Sequence, residues 1–251
     1  MILVDAAGVS MSRPGRPLFT DLSVTIATGD RIGVVGLNGT GKSTLLNVLA
    51  GVTEPEAGTV RRGRDVRIGY LDQRPVLPEG TVRAAVGNAW EGEAVLDRLG
   101  MTPLLDTPVS QLSGGQAKRT ALARVLVAES DLLILDEPTN HLDVSAIAWL
   151  EERLAQYRGG LLLVTHDRHV LDRVTTRILE LDRGTGFVHN GGYADYLAAK
   201  QQREEHAAAA ESTRRNLARQ ELAWLRRGAP ARTRKPRARI AAATAIVEGR
   251  P

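Results

Sequence analysis

The chain has 251 residues, 43% hydrophobic and 25% charged, a globular composition long enough for one or two domains with real cores. It has no cysteine, which excludes disulfides and thiolate metal sites and suits a reducing cytosol. The formal charge of +4 is uneven: residues 200–251 carry 13 Lys/Arg against 5 Asp/Glu, leaving 20 against 24 in residues 1–199, so a mildly acidic body precedes a basic tail suited to an anionic partner.

Met1 leads into Ile2-Leu3-Val4-Asp5 without a basic, then apolar, leader pattern, so no leader is expected. No run approaches the roughly 18 apolar residues of a membrane span, so any membrane role is expected to pass through a partner. Residues 3–35 read as short strands broken by turns, Leu22–Ile26 alternating as a half-buried strand does. Arg31–Val35 reads as a short buried strand. It runs into Gly36-Leu37-Asn38-Gly39-Thr40-Gly41-Lys42-Ser43, which fits G-x-x-x-x-G-K-[ST], the phosphate-binding P-loop. Thr44–Ala50 reads as the following helix, with Gly51 at its C-cap. Glycines let the backbone fold so that successive N–H groups converge on a phosphate chain, and the helix N-terminus adds partial positive charge. Lys42 is expected to reach the β- and γ-phosphates and Ser43 to place its hydroxyl on Mg²⁺, Thr44 standing beside them.

Val66–Leu71 reads as a strand ending at Asp72-Gln73. Residues 81–109 read as short helices separated by Pro103 and Pro108. Leu112-Ser113-Gly114-Gly115-Gln116 then opens a helix with Leu122, Val125 and Leu126 on one face; its hydroxyl and N–H groups could meet an anion, although glycine turns before helices are common. Leu132–Leu135 is an apolar strand ending in Asp136 and Glu137, the pattern of a parallel strand buried on both faces. Ligands in such sheets sit at the carboxyl ends of strands. Asp136 is thus expected to hold Mg²⁺ and Glu137 to orient or deprotonate a water. A helix with Ile147, Leu150 and Leu154 on one face follows. Gly160–Thr165 is a further buried strand, ending at His166, a candidate partner for a terminal phosphate. Arg177–Asp182 alternates like an edge strand, and the domain, spanning 1–190 with a helical subdomain over about 74–130, is expected to close near Asn190.

From Tyr193 the composition shifts. Residues 193–227 are rich in Ala, Glu, Gln, Arg and Leu without Pro or Gly, which predicts a long helix. Gly228-Ala229-Pro230 breaks it, and Lys235–Val247 resumes a helical pattern, giving a hairpin over 191–251. Trp224, Arg226, Arg227, Arg232, Arg234, Lys235, Arg237 and Arg239 crowd around the break, an imbalance that a merely solvated helix would not carry.

In chain order, the P-loop, Gln73, the Leu112–Gln116 signature, the Leu132–Glu137 strand, Asp143 and His166 resemble the Q-loop, signature, D-loop and switch elements of the ATP-binding cassette family, an α/β P-loop NTPase fold. The resemblance covers roughly residues 3–190. It implies Mg-dependent ATP hydrolysis with Glu137 as base, His166 as γ-phosphate sensor, and Ser43, Asp136 and Gln73 around Mg²⁺. It also implies that Leu112–Gln116 and Asp143 serve ATP bound to a second, head-to-tail cassette. Pro138-Thr139-Asn140-His141-Leu142-Asp143, Gly192-Tyr193 and the Glu221–Gly228 segment resemble the ABC-F branch, nearest its Uup-like members. That branch is cytosolic, lacks a membrane domain and acts on ribosomes, its inter-cassette linker lying near transfer RNA.

Three departures stand out. One cassette is present where the branch has two; residues 74–111 leave little room for its arm insertion; and Arg13 replaces the adenine-stacking aromatic. Rival readings are a transporter ATPase subunit, a DNA-binding ATPase, and an inactive fragment of a two-cassette protein.

Overall fold

The computed structural model describes residues 1–87 and 89–226. β1 (Ile2–Arg13) and β2 (Arg16–Ala27) form a long antiparallel hairpin with several register shifts. β3 (Arg31–Gly36) leads through the glycine loop into α1 (Lys42–Ala50), and β4 (Ala57–Arg62) returns to the free edge of β1, giving the order β2-β1-β4. β5 (Ile68–Leu71) is followed by α2 (Val82–Val86), α3 (Trp90–Arg98), two 3₁₀ turns and α4 (Gly114–Val127). β6 (Leu132–Asp136), α5 (Val144–Gln156), β7 (Gly160–Val164), α6 (Arg168–Val174), β8 (Arg177–Asp182), β9 (Thr185–Asn190) and α7 (Tyr193–Arg226) complete the chain order. The second sheet has six strands, β5-β6-β7-β3-β8-β9, parallel except for the β8–β9 pair.

The apolar runs of β6 and β7 are explained by what lies on either side. Leu132, Ile134, Leu162 and Val164 join one core with α1 and the three-stranded sheet. Leu133, Leu135, Leu161 and Leu163 join the other with α2 to α6. Every residue of both strands is buried, as a parallel sheet covered on both faces requires. Truncating such a leucine to alanine would cost about 2–5 kcal/mol.

Helix ends are closed by local chemistry. Gly51 caps α1 in the left-handed conformation, as its position predicts, and Arg62 donates to the Val48 and Leu49 carbonyls at that end. The Asp143 carboxylate accepts from Ala146 N–H at the start of α5, and Asp167 from His169 and Val170 at the start of α6.

Several expectations need correction. The opening strands are long, twelve residues each, because β1 pairs on both edges and bulges absorb its twist. β5 begins at Ile68, two residues late. β8 is not an edge strand: it lies between β3 and β9, and its charged Glu180 is buried, accepting a 2.8 Å hydrogen bond from the Tyr196 hydroxyl with His189 Nε2 at 3.4 Å. That buried pairing carries the first compact unit to Tyr196, past Asn190.

The second unit begins at Leu197 and contains most of α7. The helix expected over 193–227 is observed over Tyr193–Arg226. Most of its described side chains past Leu197 are exposed, and Glu211 pairs with Arg214 and Arg215 one turn on. Arg227, Arg232, Arg234, Lys235, Arg237 and Arg239, the break at 228–230 and the second helix lie outside the described residues, as do the side chains of Trp224 and Arg226. Among the described residues no helix is long and apolar enough to cross a membrane.

Candidate active site

Four parallel strands lie side by side as β5-β6-β7-β3, and each brings its carboxyl end to the same edge. β5 runs out into Asp72-Gln73, β6 ends at Asp136 with Glu137 next, β7 is followed by Thr165-His166, and β3 opens into the glycine loop. They enclose an open cleft of about 390 Å³ that gathers Lys42, Ser43, Gln73, Asp136, Glu137 and His166. Arg13, Asn38, Gly39, Gly41 and Thr44 line it as well. Residues far apart in the chain meet because the strand order, not the chain order, sets the edge.

The loop geometry depends on glycine at two positions. Gly41 caps α1 at φ 99°, and a Cβ there would stand 3.0 Å from Leu18 Cβ. A Cβ on Gly36 would stand 2.5 Å from the Leu181 carbonyl oxygen. Leu37 and Thr40 shape the loop without lining the cleft: the Thr40 hydroxyl donates to the Leu37 carbonyl at 2.9 Å, and the Leu37 side chain is exposed. Lys42 Nζ donates to the carbonyls of Gly36 (2.9 Å) and Leu37 (3.2 Å), so its ammonium is folded back over the loop. Burial lowers the pKa of Lys42, while Glu137 and Asp136 raise it.

The two acids are buried, Asp136 at 1% exposure and Glu137 at 6%. Burial raises the pKa of Asp136; the Ser43 hydroxyl and the Lys118 and Lys42 charges oppose it, and Asp72 adds to it. Asp136 Oδ2 is buried with no hydrogen-bond partner among the described residues. Glu137 stands at φ 52°, a left-handed conformation costing a non-glycine residue roughly 1–2 kcal/mol. Its N–H continues the strand ladder to the Val164 carbonyl at 2.8 Å. Its carboxylate accepts from His166 N–H (3.3 Å) and faces His166 Nε2 at 3.4 Å, with the imidazole otherwise open to the cleft. Burial raises the Glu137 pKa, and the His166 charge and N–H lower it. The Thr139 and Thr165 hydroxyls, 2.9 Å apart, tie the loop after Glu137 to the end of β7.

These residues fit a nucleotide phosphate chain with a hard cation. Asp136 has an unengaged oxygen, Ser43 and Gln73 add oxygen donors, and Lys42 is held only by loop carbonyls it can exchange. Among the described residues no three His, Cys, Asp or Glu side chains could hold a metal by themselves. Mg²⁺ in general takes one or two carboxylates and leans on phosphate oxygens.

The signature segment lies outside the cleft. Leu112 follows the second 3₁₀ turn, and Ser113 caps α4 in a reciprocal box with Gln116. Gly114 and Gly115 form the first turn, and a Cβ on Gly115 would lie 3.1 Å from the His141 ring. Asp143 is committed to capping α5. One chain therefore does not bring Leu112–Gln116 or Asp143 to its own Lys42.

Two residues of the site escape sequence reasoning. Asn140 lines the cleft from the loop after Glu137. Lys118, 5% exposed on α4, feels the charges of Asp136, Glu137 and Asp72, which raise its pKa against a larger lowering by burial. Its spacing of four and seven residues from Leu122 and Val125, on the face turned to the sheet, was the available signal.

The fold is that of the ATP-binding cassette ATPases. The family model described as "ABC transporter" matches residues 19–140. A solved "Structure of ATP binding subunit of ABC transporter" superposes with a TM-score of 0.64 at 25% identity, over 75% of this chain and 90% of that one. Among curated proteins, the "Uncharacterized ABC transporter ATP-binding protein YfmR" of Bacillus subtilis is 39% identical over 96% of this chain and 46% of its own length. The "Energy-dependent translational throttle protein EttA" of Escherichia coli K12 is 37% identical over 91% of this chain and 50% of its own. That of Mycobacterium tuberculosis H37Rv is 35% identical over 89% and 48%. The chain spans about half the length of the curated relatives it matches.

Proposed function

We propose that this chain binds and hydrolyses Mg-ATP as one cassette of a head-to-tail pair, within a cytoplasmic protein of ABC-F type that acts on the ribosome. The observation that carries the ATPase reading is the convergence of Lys42, Ser43, Gln73, Asp136, Glu137 and His166 on one edge. The loop amides and Lys42 would hold the phosphates, Lys42 exchanging the Gly36 and Leu37 carbonyls for phosphate oxygens. Ser43, Asp136 and Gln73 would hold Mg²⁺, which when bound would neutralise charge on the transferred phosphoryl group. Glu137 takes a proton from water as its oxygen attacks the terminal phosphorus and the bond to the β-phosphate oxygen breaks. His166, against Glu137 in this structure, orients that carboxylate and is placed to sense the terminal phosphate. A second cassette would supply the Ser113 turn and Asp143, since this chain's own lie outside its cleft.

The ribosomal reading rests on two supports. Relatives named as translational throttle proteins match about nine tenths of this chain, and the tail carries a net charge of +8 over residues 200–251. The Uup-like assignment within the branch rests on the linker residues alone. The transporter reading is favoured by the superposed structure, described as the ATP-binding subunit of a transporter, and a DNA-binding ATPase by the Arg-rich tail. Binding of the full chain to ribosomes, transfer RNA, duplex DNA and lipid vesicles at matched salt separates these. The expected result is preference for ribosomes or transfer RNA, with a log–log salt slope near −4 if about five phosphates are neutralised. Alanine at Arg226, Arg227, Arg232 and Arg234 should flatten the slope and leave ATP binding intact. RNA binding unchanged by those substitutions removes the main ground for a translation role.

A further inference from the structure

Thr139 and Thr165 carry hydroxyls that packing alone does not call for. They are 9% and 5% exposed, and valine has the same shape without the polar atom. Neither lines the cleft, so neither hydroxyl is offered to a nucleotide. They meet each other instead, at 2.9 Å. Each sits in a turn that carries one of the two groups facing each other in the cleft. On one side, Glu137 stands two residues before Thr139. Asn140 N–H donates to the Glu137 carbonyl at 3.4 Å and Leu142 N–H to the Thr139 carbonyl at 3.2 Å, so the chain doubles back there. On the other side, Thr165 Oγ1 accepts from Asp167 N–H at 3.1 Å, which bends the chain after β7 and leaves His166 at the apex.

The turns are joined by Glu137 N–H to the Val164 carbonyl, by the hydroxyl pair, and by His166 N–H to the Glu137 carboxylate. Glu137 keeps φ 52°, and a backbone of that kind persists only where its surroundings over-determine it. The ladder bond to Val164 holds the chain before that dihedral. The hydroxyl pair holds it after, so between them they pin it.

We propose that the Thr139–Thr165 hydroxyl pair is the clasp that sets Glu137 against His166, and through Glu137 the place where an attacking water would be deprotonated. Both threonines are positioning residues: they meet neither nucleotide nor water, and act through the two residues their turns carry. Removing one hydroxyl leaves the other buried without that partner and frees the loop after Glu137 from the end of β7. The Glu137 backbone can then relax out of the left-handed region, and its carboxylate moves off His166. The phosphate-binding loop joins β3 to α1 and contributes nothing to the clasp, so ATP binding should survive. The consequence for turnover rests on the ATPase reading; the consequence for His166 does not.

The test reads the ring resonances of His166 in the full chain with isotope-labelled histidine, at one fixed pH and without nucleotide. The chain has five histidines, and His166→Ala identifies the signals that belong to His166. Glu137→Ala shows where those signals lie once the carboxylate is gone. Thr139→Val should move them toward the same positions. Thr139→Ser, which keeps a hydroxyl, should leave them where the parent has them. Thr139→Ala is the second variant should valine disturb folding, and thermal melting checks each protein. In turnover assays at high protein concentration, Thr139→Val should lower kcat about tenfold or more, the scale of a misplaced catalytic group, with KM for ATP unchanged and serine restoring the rate. His166 signals unmoved in the folded valine and alanine variants overturn the proposal. So does a serine variant that behaves like valine, an unchanged kcat, or a loss that appears in KM alone. A parent chain that neither binds nor hydrolyses ATP would sink the ATPase reading, while the His166 signals would still decide the clasp.

Discussion

The two ends of the six-stranded sheet both carry charged residues and use them in opposite ways. At the amino edge the charges answer one another or close backbone groups. Asp30 accepts from Ala27 N–H at 2.8 Å and pairs with Arg177 at 3.0 Å. Arg31 donates to the carbonyls of Leu154, Ala155 and Tyr157 at 2.6–2.7 Å, closing the end of α5. Asp131 accepts from Arg67 N–H, and Arg67 pairs with Glu129. At the carboxyl edge the charges are buried and only partly answered: Asp136 keeps an unengaged oxygen, Glu137 leans on His166 from a strained backbone, and Lys42 makes do with loop carbonyls. Satisfied charges hold a fold together; charges held ready in a cleft are arranged for a ligand. Changes at the carboxyl edge should therefore alter nucleotide chemistry at little cost in stability, and changes at the amino edge the reverse.

The largest expected effect is at Glu137. Glu137→Gln should lower ATP turnover at least about a hundredfold, the usual scale for a lost general base, while ATP binding persists. With ATP and a second cassette, or at high protein concentration, the variant should run as a dimer on a sizing column. A monomer with ATP bound would contradict the role given to Glu137. At the other edge, Arg31→Ala leaves three carbonyls without their donor and should cost about 1–3 kcal/mol in denaturant unfolding. ATP affinity of the folded protein should not move; a loss of affinity beyond the loss of folded protein would blur the contrast between the edges.

A smaller effect is expected in base choice. Arg13 lines the cleft, and a guanidinium can lie over a purine without reading its edges. GTP should compete with ATP within about tenfold, roughly 1.4 kcal/mol. Phe19, the nearby aromatic in sequence, is fully buried in the core and is not available to adenine. A hundredfold preference for ATP would require another recognising group. The smallest effect is at Asp131, whose pKa is lowered by the Arg67 N–H first and then by its side chain. A carboxylate with a depressed folded pKa stabilises above its unfolded value and loses that contribution as pH falls through the folded one. Asp131→Asn should lower the melting temperature slightly at pH 7, and the gap should close as pH drops below 3.8. A gap independent of pH would mean that the charge is not what matters there.

What the sequence made legible followed from burial and backbone geometry. The glycine loop, the apolar runs of β6 and β7 and the acids after Leu135 stand out because few other patterns tolerate such residues together. β4 and β9 went unread because pairing alone defines them: Ala57–Arg62 is largely exposed, and Thr185–Asn190 is an edge strand without an apolar alternation. α6 is seven residues long, too short for a helical period to show. β8 misled because Glu180 and Arg177 look solvent-facing until Tyr196, His189 and Asp30 are seen beside them. Lys118 was hidden for a like reason: the acids whose charges raise its pKa stand at the ends of β5 and β6, away from it in sequence.

The central claim is that the carboxyl edge is a nucleotide site built on partly answered charge. Calorimetric titration of Mg-ATP into the parent chain and into Lys42→Ala tests it most directly, with thermal melting on both. The expected result is one ATP bound by the parent, at least a hundredfold weaker binding by the variant, and a melting temperature that does not fall. A parent chain that binds no ATP, or a variant that binds it equally well, would contradict the account.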